Sequence, residues 1–335
     1  MLTPNSDKYQ NYFDEYEDFA RKNELGNKYF IESDDIILSS EHRVLKYKQI
    51  KDENLRKRVF LIVPSIFNSP EIFFLNKENH FIDNLRELGD IFLIDWLEIK
   101  RPNYSVNDYI TEIIKITNHL RAKTALEIDL VGHCIGGTLA LIAAIDCQVQ
   151  VKTICLLTSP WDFSHFAMVI AMHKMLGLDN SIKAMDVIPK IHIQILFFLL
   201  FPDYFSKKID KYLNITLNKD KELFFKIEQW LMSSNTLPKT TYFQIIEDMI
   251  EKNMFAALSW EFNNKIANPS LLKKPVYHLI AQNDRIVPAS SILPLRKILQ
   301  QSTMFEVKGG HISYLINSQI NNFFKSYKSW LGGLK

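Results

Sequence analysis

The chain has 335 residues, 47% of them hydrophobic, which is ample for one large α/β core with an insertion but short for three independent domains. Its 40 basic and 38 acidic side chains leave a formal net charge of +2, which excludes the strong positive field of a nucleic-acid-binding protein. The three cysteines, Cys134, Cys147 and Cys155, cannot all pair and have no metal-ligand spacing. We therefore expect a reducing compartment and no metal site.

The sequence gives no sign of secretion or membrane insertion. Residues 1–23 are acidic and aromatic, whereas a secretory signal has a basic region followed by an apolar run. The longest apolar stretch, from Ile193 to Phe201, is far shorter than the ~20 residues that a membrane-spanning helix requires. These features predict a cytoplasmic protein without a transmembrane span.

Short apolar runs rich in β-branched residues alternate with longer segments of helical period, which indicates strands joined by crossover helices in a mostly parallel sheet. The predicted strands are 59–63, 91–95, 128–131, 153–157, 276–281 and 304–307. The predicted helices include 106–120, 136–145, 292–300 and 320–330. The pattern therefore predicts an α/β fold.

More than a hundred residues separate the strand at 153–157 from the strand at 276–281, which is too long for an ordinary loop. This part is mostly helical in pattern and rich in aromatic residues, which we expect to form mainly its own core. We predict an N-terminal segment (1–42), a core in two parts (43–160 and 273–335) and a mostly helical cap (161–272). A cap inserted there would cover a site at the carboxyl edge of the sheet.

The segment 126–144 carries the strongest chemical signal. An apolar strand runs directly into Gly132-His133-Cys134-Ile135-Gly136 and then into a helix rich in Ala and Leu, the context of a nucleophile elbow. Gly132 and Gly136 supply the small residues that such a sharp turn needs, and the following helix N-terminus favours a thiolate at Cys134. An isolated cysteine is more often inert and buried, which is our interpretation of the other two.

A nucleophile needs a base and a group that orients the base. Asp284 follows the strand at 276–281, and His311 lies in a glycine-flanked loop after the last strand. Their order along the chain, nucleophile then acid then base, is the order found at nucleophile elbows of this kind. Asp162, after the strand at 153–157, is the alternative acid.

An oxyanion hole requires two N–H donors. One is expected from Ile135, the residue after the nucleophile. The second is expected from the loop 64–70, at Ile66 or Phe67.

Several of these segments together resemble the polyhydroxyalkanoate synthases. They are the Gly-x-Cys-x-Gly-Gly elbow, FLIVPSIFNSPEIF (60–73), IFLIDW (91–96), TSPWDF (158–163), KIEQW (226–230), AQNDRIVP (281–288) and GGHIS (309–313). The resemblance covers most of the chain from about Val44 onward. It implies an α/β-hydrolase fold, with helices on both faces of a mostly parallel sheet and a helical cap inserted after the sixth strand.

The resemblance also implies a function. Cys134 would be the acyl nucleophile, His311 the general base and Asp284 the adjacent acid. The substrate would be a 3-hydroxyacyl-coenzyme A, polymerised to a polyester with release of coenzyme A and without a cofactor. The chain length is similar to that of the short catalytic-subunit type, which implies a second synthase subunit or a homodimer, and a location at polymer granules.

Two positions depart from the family pattern, and two alternative functions stay open. Arg285 stands where the family usually has His, and Leu97 where it usually has Gly. The same triad would serve a Cys-dependent thioesterase or lipase-like hydrolase. The two departures are also compatible with a non-catalytic, granule-associated relative.

Overall fold

The structure is a computed structural model that describes residues 6–22, 34–37, 40–47, 58–200 and 203–334. The strands are β1 (Asp34–Ile37), β2 (His42–Tyr47), β3 (Arg58–Val63), β4 (Gly89–Trp96), β5 (Ile128–His133), β6 (Val151–Leu157), β7 (Val187–Ile188), β8 (Leu237–Pro238), β9 (Glu261–Phe262), β10 (Lys265–Ile266), β11 (Val276–Ala281) and β12 (Ser302–Val307). The helices are α1 (Ser6–Lys22), α2 (Phe81–Arg86), α3 (Val106–Thr124), α4 (Ile135–Asp146), α5 (Ala167–Met175), α6 (Leu178–Lys183), α7 (Lys190–Leu200), α8 (Tyr204–Leu213), α9 (Asn218–Met232), α10 (Lys239–Phe243), α11 (Ala289–Ile298) and α12 (Asn317–Gly333). A π-helix, Gln244–Glu251, follows α10.

Eight strands form the central sheet, in the order β1-β2-β4-β3-β5-β6-β11-β12. β2 is antiparallel to both of its neighbours, and every other pairing in the sheet is parallel. The carboxyl ends of β5, β11 and β12 therefore meet at one edge. All six predicted strands are confirmed, whereas β1 and β2 were not predicted.

The two faces of the sheet bury different side chains because successive residues of a strand point in opposite directions. On β3, Val59 and Leu61 belong to a core that also contains residues of α3 and α4. Phe60 and Ile62 belong to a second core, which contains residues of α2 and α12. Helices therefore cover both faces, as expected.

The cap lies between β6 and β11, so it follows the sixth strand, as predicted. It contains α5 to α10, the π-helix and two small antiparallel strand pairs, β7 with β8 and β9 with β10. Among its aromatic residues, Trp161 is buried in the core shared with the sheet, and Tyr242, Phe197 and Trp230 line cavities. The cap is thus packed onto the sheet and also encloses space above it.

The predicted N-terminal segment contains a helix that was not foreseen. Tyr12 of α1 packs against Tyr212 of α8, with ring centroids 5.1 Å apart, and against Phe225 of α9 at 5.9 Å. Glu15 pairs with Lys221 at 3.1 Å. α1 therefore braces the outer side of the cap.

None of the helices within the described ranges combines the length and the apolar character that crossing a bilayer requires.

Candidate active site

Cys134 occupies the sharp turn between β5 and α4. Its backbone has φ 53° and ψ −134°, a positive φ that costs a non-glycine residue about 1–3 kcal/mol. The surrounding backbone holds this conformation, because the N–H of Cys134 donates to the carbonyl of Leu157 at 2.9 Å and the N–H of Gly137 donates to the carbonyl of Cys134 at 2.9 Å. The turn lifts the sulfur above the edge of the sheet.

The glycines beside the turn fit against neighbouring backbone. A Cβ on Gly132 would lie 2.3 Å from the Cα of Gly137. A Cβ on Gly136 would lie 2.2 Å from the carbonyl oxygen of Pro64, in the loop after β3. Neither position can carry a side chain unless the backbone moves.

Asp284 and His311 are brought together by the loops that follow β11 and β12. The Oδ1 atom of Asp284 accepts hydrogen bonds from the N–H groups of Ile286 at 2.9 Å and Val287 at 2.8 Å. Its Oδ2 atom lies 2.7 Å from Nδ1 of His311. With Nδ1 bonded to the carboxylate, Nε2 is the ring atom left to act on Cys134.

The charge state of His311 reflects its surroundings. Burial lowers the pKa of His311, but the Asp284 carboxylate and a hydrogen bond to the Cys134 side chain outweigh burial and raise it to about 10. His311 is therefore an imidazolium at neutral pH when the sulfur beside it is a thiolate.

The other two thiols lie in different surroundings. Burial raises the pKa of Cys147 to about 12 and raises that of Cys155 well above its ordinary value. Both therefore remain protonated and weakly nucleophilic at neutral pH. Only Cys134, among the three, has an imidazole beside it.

Asp162, the alternative acid, has different partners. Its Oδ1 atom accepts from the N–H of Ser164 at 2.9 Å and from Nδ2 of Asn253 at 2.9 Å. These contacts tie the start of the cap to the segment that follows its π-helix. The carboxyl group bonded to His311 belongs to Asp284, so the first choice of acid has the required geometry and the alternative does not.

His133 is buried next to His311, with the two ring centroids 5.3 Å apart. Burial, and then the charge of His311, hold the pKa of His133 well below its ordinary value. His133 is therefore neutral at physiological pH.

The two expected sources of oxyanion donors lie in α4 and in the loop after β3. Ile135 is the first residue of α4, so its N–H has no acceptor within its own helix. In the loop after β3, Phe67 lines the space above Cys134, and its N–H donates to Oγ of Ser65 at 3.2 Å. Ile66 is buried in the core, and it could donate only through its backbone N–H because its side chain is aliphatic.

Asn235, in the cap, holds that same loop and was not identified from the sequence. Its N–H donates to the carbonyl of Phe67 at 2.6 Å, and its Nδ2 donates to the carbonyl of Ile66 at 3.1 Å. Trp230 adds a third link, because its Nε1 donates to the carbonyl of Ser69 at 2.8 Å. The cap therefore fixes the peptide orientation of the proposed oxyanion loop.

Two cavities meet at Cys134. The wide cavity, of about 680 Å³, is lined by the loop after β3, by α7, α8 and α9, and by the loops that hold Asp284 and His311. The apolar cavity, of about 70 Å³, is lined by side chains such as Phe166, Leu196 and Ile245. Phe67, Cys134, Phe197 and Ile286 border both cavities.

This arrangement has the parts needed for nucleophilic acyl transfer: a sulfur, an imidazole, a carboxylate that orients the imidazole, and a helix N-terminus beneath the sulfur. Within the described residues, no group of three or more His, Cys, Asp and Glu side chains could hold a metal ion.

Comparison with known proteins gives the family. The model of the alpha/beta hydrolase fold matches residues 90–318. A hydrolase from Pseudomonas aeruginosa PA01 superposes with a TM-score of 0.59 at 12% identity, covering 92% of this chain and 100% of that one. At this identity, the likeness concerns the fold alone.

Curated relatives give the nearer resemblance. The chain is 24% identical over 289 residues to the poly(3-hydroxyalkanoate) polymerase subunit PhaC of Haloferax mediterranei, covering 83% of this chain and 58% of that protein. It is 24% identical over 300 residues to the subunit of the same name from Synechocystis sp., covering 84% of this chain and 79% of that protein. The resemblance to polyhydroxyalkanoate synthases is thereby confirmed, and the chain belongs to the α/β-hydrolase fold family.

Proposed function

We propose that this protein is an acyltransferase that polymerises 3-hydroxyacyl-coenzyme A into polyhydroxyalkanoate and releases coenzyme A. The observation that carries the proposal is the chain of contacts from the Asp284 carboxylate through His311 to Cys134, at the floor of two cavities. The similarity to proteins named as poly(3-hydroxyalkanoate) polymerase subunits supports this choice among acyl-transfer reactions.

In the first step, Cys134 loses its proton to His311 and attacks the carbonyl carbon of the thioester. The bond from this carbon to the sulfur of coenzyme A breaks, and the departing thiolate takes the proton from His311. The acyl group is then held on Cys134 as a new thioester. Asp284 keeps Nε2 directed at the reacting atoms and opposes the charge on the imidazolium.

In the second step, the hydroxyl group of another 3-hydroxyacyl unit attacks the acyl group on Cys134. His311 takes the hydroxyl proton, an ester bond forms, and the Cys134 thiolate is released beside the imidazolium. During both steps the N–H of Ile135 and an N–H of Ile66 or Phe67 would bind the oxyanion.

Cysteine suits this sequence of steps because an acyl-cysteine is itself a thioester. Transfer from coenzyme A therefore preserves the activation that the second step needs, whereas an ester on serine would lose part of it. The apolar cavity supports the proposal in another way, since it can hold acyl chain beside Cys134 while excluding water that would hydrolyse the intermediate.

We also propose that the active form contains a second synthase subunit or a second copy of this chain, and works at the surface of the insoluble product in the cytoplasm. Both of the relatives described above are named as subunits. Light scattering of the purified chain, with and without substrate, distinguishes a homodimer from a monomer that requires another subunit.

The test is to mix the protein with 3-hydroxybutyryl-coenzyme A and to measure both coenzyme A release and insoluble polyester. We expect both from the parent protein, neither from Cys134→Ala, and near-parental values from the control Cys147→Ala, whose thiol lies at the end of α4. Release at the parental rate by Cys134→Ala would contradict the proposal. Release without polymer would identify a Cys-dependent thioesterase instead.

A further inference from the structure

The outer part of the wide cavity is strongly cationic. Helix α8 contributes Lys207, Lys208 and Lys211 to its lining, and the loop after β11 contributes Arg285. Lys207 and Lys211 are four residues apart, so they lie on one face of the helix, where like charges destabilise a helix slightly. These four side chains place several positive charges along one part of the cavity lining.

The carboxylates nearby neutralise only part of this charge. Asp203 pairs with Lys207, and it also accepts from Nη2 of Arg285 at 3.2 Å. Glu228 pairs with Lys208. Among the described side chains, these four cations lie beside Asp203 and Glu228, and Asp284, which also lines the cavity, is bonded to His311.

The cations differ in exposure, which separates their roles. The side chains of Lys207 and Arg285 are 66% and 55% exposed, so each can contact a ligand from solvent while paired with Asp203. Lys211 is also exposed. Lys208 is only 8% exposed and lies 5.5 Å from the ring of Tyr12, so its pair with Glu228 belongs to the packing of the cap.

We propose that Lys207, Lys211 and Arg285 bind the phosphate groups of the coenzyme A part of the substrate. This inference rests on the proposed function. Coenzyme A carries its diphosphate and its 3′-phosphate at the end of the pantetheine arm that is remote from the thioester. The wide cavity reaches from these cations to Cys134, and its volume of about 680 Å³ is in the range of ligand sites.

Arg285 gives this site a property that the family pattern lacks. It stands directly after Asp284, where polyhydroxyalkanoate synthases usually have His. An arginine stays charged at every physiological pH and can donate two parallel hydrogen bonds to a phosphate. The departure therefore strengthens anion binding next to the triad and leaves the Asp284 contact to His311 in place.

The first test measures binding and does not depend on turnover. Calorimetry on the intact protein compares coenzyme A with pantetheine, which lacks all of the phosphates. We expect the affinity for coenzyme A to fall about fivefold to tenfold in Lys211→Glu and in Arg285→Glu, and to fall with added salt, while binding of pantetheine stays constant. The matched control is Lys265→Glu, on β10, which lines neither cavity.

Two results would overturn the inference: equal affinities of the parent for coenzyme A and pantetheine, or variants that bind coenzyme A as the parent does. Kinetics then separate it from the proposed function. We expect kcat/KM to fall in both variants for the coenzyme A thioester and to stay unchanged for the pantetheine thioester. Phosphate-dependent binding without any acyl transfer would support this site and reject the proposed function, whereas transfer with no effect of the variants would reject only this site.

Discussion

The carboxyl edge of the sheet and the cap contribute to the site in different ways. At the edge, two of the proposed reacting groups are fixed by backbone: Cys134 by a strained turn between two hydrogen bonds, and Asp284 by two N–H groups of its own loop. The cap contributes no member of the proposed triad. It supplies much of the cavity lining, the cations of α8 and the side chain that holds the proposed oxyanion loop.

On this account, the edge of the sheet carries out the proposed chemistry, and the cap selects the substrate. Groups that attack the substrate or transfer protons must hold their geometry closely, and short loops at the ends of buried strands achieve this. Groups that select a substrate need shape and charge around the reacting atoms, which helices of an insertion can provide. Variants at the edge should therefore reduce catalysis, and variants in the cap should change which thioester is used and how fast.

The largest effect is expected for Asp284→Asn. The amide would donate to Nδ1 of His311, which leaves the proton on Nε2 and removes the base, so we expect kcat to fall about 10³-fold or more. The pKa of His311 should fall as well, because the carboxylate that raises it is gone. The control is Asp162→Asn, with near-parental kcat. An equal loss of kcat in both variants would show that neither carboxylate acts specifically through His311.

A smaller effect, on stability, is expected for Gly136→Ala. The added Cβ would lie 2.2 Å from a backbone oxygen, so the elbow must shift, and we expect the free energy of unfolding to fall by about 3 kcal/mol. Gly332→Ala, in α12, has nothing within 4 Å of the new Cβ and should raise stability by up to about 1 kcal/mol. Urea denaturation measures both. A parental midpoint for Gly136→Ala would contradict the tight fit.

The smallest effect is expected in the cap, for Asn235→Ala. Loss of the Nδ2 bond to the carbonyl of Ile66 frees the proposed oxyanion loop, so kcat should fall about tenfold with little change in KM. Asn214→Ala removes a comparable amide bond within the cap, to Asp210, and should leave kcat unchanged. A change in KM alone would indicate that Asn235 shapes the substrate cavity and does not position the loop.

Features formed by residues that are close together in the sequence could be predicted, whereas features that depend on contacts between distant residues could not. The elbow could be predicted because Gly132, Cys134 and Gly136 lie close together in the sequence, between an apolar strand and a helix. Asp284 and His311 could be found because each follows a recognisable strand in a fixed order. The parallel strands were predictable because each contains a short, mostly apolar run.

The features that sequence reasoning missed depend on contacts between distant segments. Asn235 meets Ile66 across 169 positions, and no pattern near either residue indicates the contact. β2 was missed because its sequence, HRVLKY, mixes charged and apolar residues, although His42 and Val44 are buried by pairing with β4. The lysines of α8 and Arg285 are far apart in the sequence, and only the fold brings them to the same cavity.

The most direct measurement of the central claim is mass spectrometry of the protein after a brief reaction with 3-hydroxybutyryl-coenzyme A, followed by an acid quench and proteolysis. The account predicts a 3-hydroxybutyryl adduct on the peptide that contains Cys134, a much smaller amount in Asp284→Asn, and none on the peptides of Cys147 and Cys155. Release of coenzyme A while Cys134 stays unmodified at every time point, or an adduct on Cys147, would contradict it.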